Sequence, residues 1–220
     1  MSILVYTENW DGKFKKLSFE LVSYAAAIAK EMGQELTALS IGNVADDELN
    51  KLGNYGASKV LKVEDDRFNS LDNKALSKAV VAAAESVGAK LVVFAHNNLG
   101  KALAPRVSVK LNAGLVSGVT ALPSSTTPFV VKKKVFTGKA FANVQVDAEN
   151  VVLTFAQNSY ELVETGGNAT VEAFDPQVAD GDFSTTVNET NKITGKVLLN
   201  DAEIVVSGGR GMKSGDNWGG

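Results

Sequence analysis

Short apolar runs alternate with longer amphipathic stretches through the first hundred residues. Residues 3–7 form an apolar run of strand length, followed by a polar loop over 8–16. With Ser18 read as an N-cap, Leu21, Val22, Ala25, Ile28, Ala29 and Met32 recur at helical spacing, and Gly33 stands where such a helix ends. A second strand is expected at 36–41, a short acid-led helix at 46–52, and a third strand at 59–63. Asp72 then opens a helix carrying Leu76, Ala79, Val80, Ala83, Ala84 and Val87, and Gly88 closes it. The run 91–95 is apolar at every position, as in a parallel strand covered on both faces. This alternation predicts an α/β fold: an open three-layer α/β/α sandwich on a mostly parallel sheet.

The next segment, 96–100, lies at the carboxyl end of that strand, where open α/β sheets bind ligands. It holds His96, the chain's single histidine, which has no serine, cysteine or carboxylate at a recognisable catalytic spacing. A hydrogen-bonded loop histidine is the reading it supports. A helix over 101–111 follows, with Pro105 near its first turn and Arg106 beside it. Beyond residue 115 a short strand at 119–122 precedes three more, at 129–137, 140–147 and 151–155. The breaks at Gly138 and Asn150 are hairpin signals, so an antiparallel meander on the sheet edge is expected. Residues 158–191 are polar, with few apolar anchors, and read as a connector bearing one isolated strand. The expected division is a domain over 1–190 and, over 191–220, the first strand and glycine-rich loop of a truncated second α/β domain.

That second part runs from 193–201 into the β-branched Ile204, Val205 and Val206, then into Gly208, Gly209, Arg210, Gly211, Met212, Lys213, Ser214 and Gly215. Glycines let backbone approach an anionic ligand closely, and Arg210 and Lys213 add charge. No helix follows before Gly220 to supply its N-terminal amides, so the chain reads as the front part of a longer protein. The loop fits neither the Walker A spacing, which Met212 interrupts, nor G-x-G-x-x-G. On its pattern alone a flexible glycine-rich turn stays open.

Composition narrows the function classes. The chain has 220 residues, 45% hydrophobic, with a net charge of −3, which argues against nucleic acid or an anionic membrane as partner. Lys132, Lys133 and Lys134 read as a solvated strand end. No cysteine is present, which excludes disulfides, thiolate metal sites and a cysteine nucleophile. Neither a leader pattern nor a bilayer-length apolar run is visible, and a cytoplasmic location is expected. No nucleophile–base pair, metal-ligand spacing or paired carboxylates appear, so no catalytic and no metal residue is assigned.

The string from Val205 to Gly215, Val-Val-Ser-Gly-Gly-Arg-Gly-Met-Lys-Ser-Gly, resembles the opening of the flavin domain of electron transfer flavoprotein alpha subunits. Collinear blocks agree: the start at Ile3-Leu4-Val5, the segment Gly100-Lys101-Ala102-Leu103-Ala104-Pro105-Arg106-Val107, and the turn Phe136-Thr137-Gly138-Lys139-Ala140. Ala156 stands where many members carry arginine, which puts a partner contact from that turn in doubt.

The resemblance implies an electron carrier rather than a stand-alone enzyme. It implies FAD as cofactor, with Arg210, Gly209, Gly211, Lys213 and Ser214 as the cofactor-binding residues of this chain. It further implies a beta subunit as heterodimer partner. Electrons would pass from flavin dehydrogenases, such as the acyl-CoA dehydrogenases of fatty acid beta-oxidation, to a quinone reductase or another acceptor. Most flavin contacts in the family come from a carboxyl-terminal part of about a hundred residues, so tight FAD binding by these 220 residues alone is not expected. Two other classes stand beside this one: an adenine-nucleotide-binding α/β module using 96–100, and a structural partner-docking domain without a redox role.

Overall fold

The structure, a computed structural model, describes residues 2–191, 199, 202 and 204–218. The chain divides into two compact units, Met1–Thr186 and Val187–Gly220.

The first unit is built on one large sheet. In chain order its elements are β1 (Ser2–Thr7), the small hairpin β2 (Asn9–Trp10) and β3 (Lys13–Phe14), α1 (Lys16–Met32), β4 (Glu35–Ile41), α2 (Asp46–Asn54) and β5 (Lys59–Val63). There follow α3 (Asn73–Ser86), β6 (Ala89–Ala95), α4 (Asn98–Lys110), β7 (Ala113–Val119), β8 (Ser125–Thr126), β9 (Phe129–Val135), β10 (Ala140–Val146), β11 (Asn150–Phe155) and β12 (Thr170–Ala173). The spatial order is β10-β9-β7-β11-β6-β1-β4-β5-β12, with β8 on the side of β9. Neighbours from β7 through β12 pair parallel, whereas β9 and β10 run antiparallel.

Every residue of β1 is buried, because its two faces feed two cores. Ile3 and Val5 pack with Leu21, Ile28, Leu49 and Leu52 of α1 and α2. Leu4 and Tyr6 pack with Leu76, Val80, Leu103 and Val107 of α3 and α4. These are the three expected layers. The chain steps from β1 to β4 and β5 on one side, then to β6 on the other. The crevice outside the carboxyl ends of β1 and β6 is therefore the topological switch point of the sheet.

Several local expectations are corrected. The first helix begins at Lys16 behind an extended Lys15, so Ser18 is not its cap. The Ser18 hydroxyl donates instead to the Glu8 carbonyl at 2.7 Å. α4 begins at Asn98 because the Asn97 side-chain Oδ1 caps the helix by accepting the Gly100 N–H at 2.9 Å, so 98–100 is helix rather than loop and Pro105 lies within it. The strand expected at 119–122 is β7, which ends at Val119. Its glycines hid it: a Cβ on Gly114 would meet Val146 Cγ1 at 2.4 Å, and Gly118 has φ +72°.

Strand β11 does not belong to the edge meander. It leaves the hairpin β9–β10 and inserts parallel between β7 and β6, in the middle of the sheet. The isolated strand expected in the connector is β12, which pairs with β5 at the far edge.

In the second unit, Ile204, Val205 and Val206 are exposed and not in a strand, since nothing among the described residues accepts a ladder from them. The lead-in at 193–201 lies almost wholly outside the described residues. The described secondary structure there consists of short 3-10 turns, at Arg210–Met212 and Gly215–Trp218.

Candidate functional site

The glycine-rich segment folds on itself through backbone and short side-chain bonds. Met212 N donates to the Gly209 carbonyl at 3.0 Å, and Ser214 N to the Met212 carbonyl at 2.7 Å. Asn217 Nδ2 donates to the same Met212 oxygen at 2.6 Å, and the Ser214 hydroxyl to Asp216 at 3.3 Å. Lys213 sits at φ +61°, the reversal that turns the chain back. Gly208, Gly209, Arg210, Met212, Lys213, Ser214 and Gly215 line a shallow depression of about 250 Å³.

A Cβ at Gly209, Gly211 or Gly215 would meet nothing within 4 Å, so the backbone there is open to an approaching ligand. Arg210 is exposed, and no carboxylate among the described residues takes up its guanidinium. An uncommitted guanidinium beside accessible amides suits carbonyl-type or phosphate oxygens. The residues assigned from the sequence are thus brought together on one turn.

A second group of polar residues collects at the carboxyl ends of the parallel strands. Thr154, buried in β11, accepts the Gly118 N–H at 2.9 Å and shares its hydroxyl with His96 Nδ1 at 2.7 Å. Gly118 takes φ +72°, a conformation that favours glycine, and its position faces the imidazole, whose Nε2 would lie 3.4 Å from a Cβ. Burial, then Lys101 and Lys133, push the His96 pKa down, so the ring is neutral at neutral pH. Glu8 accepts from Asn97 Nδ2 at 2.7 Å. Burial raises the Glu8 pKa, and the Asn97 hydrogen bond opposes that rise. Because Asn97 is spent on Glu8 and on capping α4, these bonds make the crevice a packed polar seam. His96 is the hydrogen-bonded loop histidine expected from its surroundings.

Sequence reasoning missed Glu20. It is 2% exposed on α1, and its carboxylate accepts the backbone N–H groups of Asn158, Ser159 and Tyr160 at 3.1, 2.9 and 3.2 Å. It anchors the turn after β11, next to Ala156. The one available signal was an acid on the apolar stripe, between Phe19 and Leu21.

Comparison with known proteins decides what frame this belongs to. The family profile described as "Electron transfer flavoprotein domain" matches residues 3–179. The chain belongs to the electron transfer flavoprotein family. It is 31% identical to the electron transfer flavoprotein subunit alpha of Syntrophomonas wolfei, over 96% of this chain and 66% of that protein. The subunit alpha of Bacillus subtilis is 28% identical over 96% of this chain and 65% of its own length. The lactate dehydrogenase (NAD(+),ferredoxin) subunit LctC of Acetobacterium woodii is 26% identical over 96% of this chain and 51% of its length. The chain thus spans about two thirds of the length of the flavoprotein alpha subunits it matches.

Among the described residues no helix is long and apolar enough to cross a membrane, and no cluster of three metal-binding side chains occurs.

Proposed function

We propose that this chain acts within a heterodimeric electron transfer flavoprotein as its alpha subunit, in the cytoplasm. Unit Met1–Thr186 serves as the docking domain for a beta subunit, and the turn at Arg210 forms one wall of an FAD site. The assembly carries electrons from flavin dehydrogenases, acyl-CoA dehydrogenases among them, to a quinone reductase or another acceptor.

One observation carries the reading. Similarity to alpha subunits covers 96% of the chain and so runs past residue 179, where the family profile stops, toward the turn that presents the uncommitted Arg210. FAD supplies the one- and two-electron chemistry when bound. Arg210 would hold a permanent positive charge beside the cofactor, and such a charge would favour the reduced over the oxidised flavin. Gly209 and Gly211 keep the backbone low enough for their amides to reach the cofactor, while Lys213 and Ser214 add polar contacts on the same turn. No proton transfer or covalent step is required of this chain.

The test is a flavin titration. The chain extended to the length of its relatives is produced with a beta subunit, and FAD binding is followed by absorbance and by quenching of free-flavin fluorescence. Stoichiometric binding supports the reading, and failure to bind FAD ends it. A rise in melting temperature of these 220 residues with AMP or ATP alone would instead favour the nucleotide-binding class.

A further inference from the structure

Helix α4 carries no acid. Its charged residues are Lys101, Arg106 and Lys110, whereas α1 holds Glu20 and Glu31, α2 holds Asp46, Asp47 and Glu48, and α3 holds Glu85. All three cations of α4 are exposed, and among the described residues none of them meets a carboxylate. Lysines elsewhere do, as in Lys62 with Asp46 and Glu64, and Lys78 with Asp182. On a chain whose net charge is −3, this face is a local excess of uncompensated positive charge.

Helix stability does not account for these residues. Lys110 suits the last turn, but Lys101 closes the first turn, where the helix dipole favours an acid. Pro105 and Val109 are poor helix formers, yet both stand at exposed positions, where propensity would ordinarily decide. No large apolar side chain described in unit Met1–Thr186 is more exposed than Val109, at 82%. At about 3.6 residues per turn, Pro105 and Val109 lie between Lys101 on one flank and Arg106 and Lys110 on the other. The stripe is roughly 14 Å long at about 1.5 Å per residue.

Size and charge choose the kind of partner. A permanent subunit interface buries a larger and more apolar area than this stripe offers, whereas electron-transfer encounters are small and steered by charge. An electron carrier must also leave each partner after the exchange, which a small charged contact allows. We propose that the outward face of α4 docks the acidic surface of the dehydrogenase that reduces the heterodimer. Carboxylates of that protein pair with Lys101, Arg106 and Lys110 around Val109. The proposal rests on the electron-carrier reading and adds the surface at which the donor is met. Two copies of this chain cannot join symmetrically through α4, because each brings only cations to the contact.

The test uses the FAD-loaded heterodimer, its alpha subunit prepared at the length of the related proteins, as electron acceptor for an acyl-CoA dehydrogenase of the same organism. The double variant Lys101→Glu/Arg106→Glu keeps its melting temperature, because both side chains are exposed and an acid suits the first turn. At low salt its KM as acceptor rises about tenfold or more while kcat is unchanged, and raising the salt narrows the gap. Val109→Ala, which favours the helix, raises KM several-fold at every salt concentration. FAD content, assembly with the beta subunit and reduction by dithionite stay as in the parent. A KM equal to the parent's at low salt overturns the proposal while the electron-carrier reading stands. Loss of assembly in the variant overturns it too, since α4 would then belong to the heterodimer interface. So does a concentration-dependent self-association of the parent that the variant abolishes. A parent that takes no electrons from the dehydrogenase overturns the donor assignment and this proposal together.

Discussion

Replacing Asp72 by asparagine changes one atom and should loosen the end of the first unit. The side chain is 2% exposed, and four donors converge on it. Its Oδ1 caps α3 by accepting Lys74 N at 2.8 Å and Ala75 N at 3.1 Å. Its Oδ2 accepts the Ser184 N–H at 2.8 Å and the Ser184 hydroxyl at 2.9 Å, tying the last segment of the unit to that helix. Around this tie Lys78 pairs with Asp182, and Phe68 packs edge-on against Phe183 with ring centroids 5.2 Å apart.

Asparagine keeps the capping oxygen but turns an amino group toward the Ser184 donors, so about 2–3 kcal/mol is lost. Alanine strips all four and costs about 3–5 kcal/mol. For a unit of this size the asparagine variant melts roughly 4–12 °C lower. Burial alone would raise the Asp72 pKa, but hydrogen bonds from Ala75 and Ser184 outweigh it and hold the carboxyl well below the usual range. A carboxyl depressed in the folded state contributes stability above its unfolded pKa of about 3.9 and loses it as pH falls toward the folded value. Urea unfolding of both proteins between about pH 6 and pH 2.5 should therefore show a gap that is widest near neutrality and closes in acid. A gap under about 0.5 kcal/mol at neutral pH, or one indifferent to pH, refutes the reasoning.

Other outcomes follow from the same geometry. Glu20→Ala leaves three partly buried N–H donors without this acceptor and should cost about 2–4 kcal/mol, read by chemical denaturation, with Glu20→Gln intermediate. Gly100→Ala places a Cβ 1.8 Å from the Ala95 carbonyl oxygen and should destabilise by about 3 kcal/mol, with loss of helix signal at 98–101 by NMR. The His96 ring should titrate below its ordinary value of about 6.5. A proton NMR midpoint above that value would contradict the burial and lysine effects assigned to it.

How much was legible in the residues depended on whether an element is defined by its own pattern or by distant partners. Strands β1, β4, β5 and β6 are buried on both faces and show as apolar runs, and α1 and α3 carry helical stripes. β7 was obscured because its glycines serve other elements, Gly114 making room for Val146 and Gly118 for His96. The position of β11 could not be read from spacing, since a tight turn says which strands are adjacent in sequence and not which gap in the sheet a strand fills. Glu20 went unseen because its partners are 138–140 residues away. The Arg210 turn was legible through the specificity of its string, whereas the strand expected before it needs a neighbour that Ile204, Val205 and Val206 lack among the described residues.

The most direct measurement is the flavin reduction potential of the proposed heterodimer, prepared at the length of the related alpha subunits, with arginine or alanine at 210, determined by spectroelectrochemical titration. A guanidinium at the flavin predicts that Arg210→Ala lowers the potential, on the order of tens of millivolts, and weakens FAD binding. An unchanged potential with FAD bound as tightly as before would place this turn away from the cofactor and contradict the account.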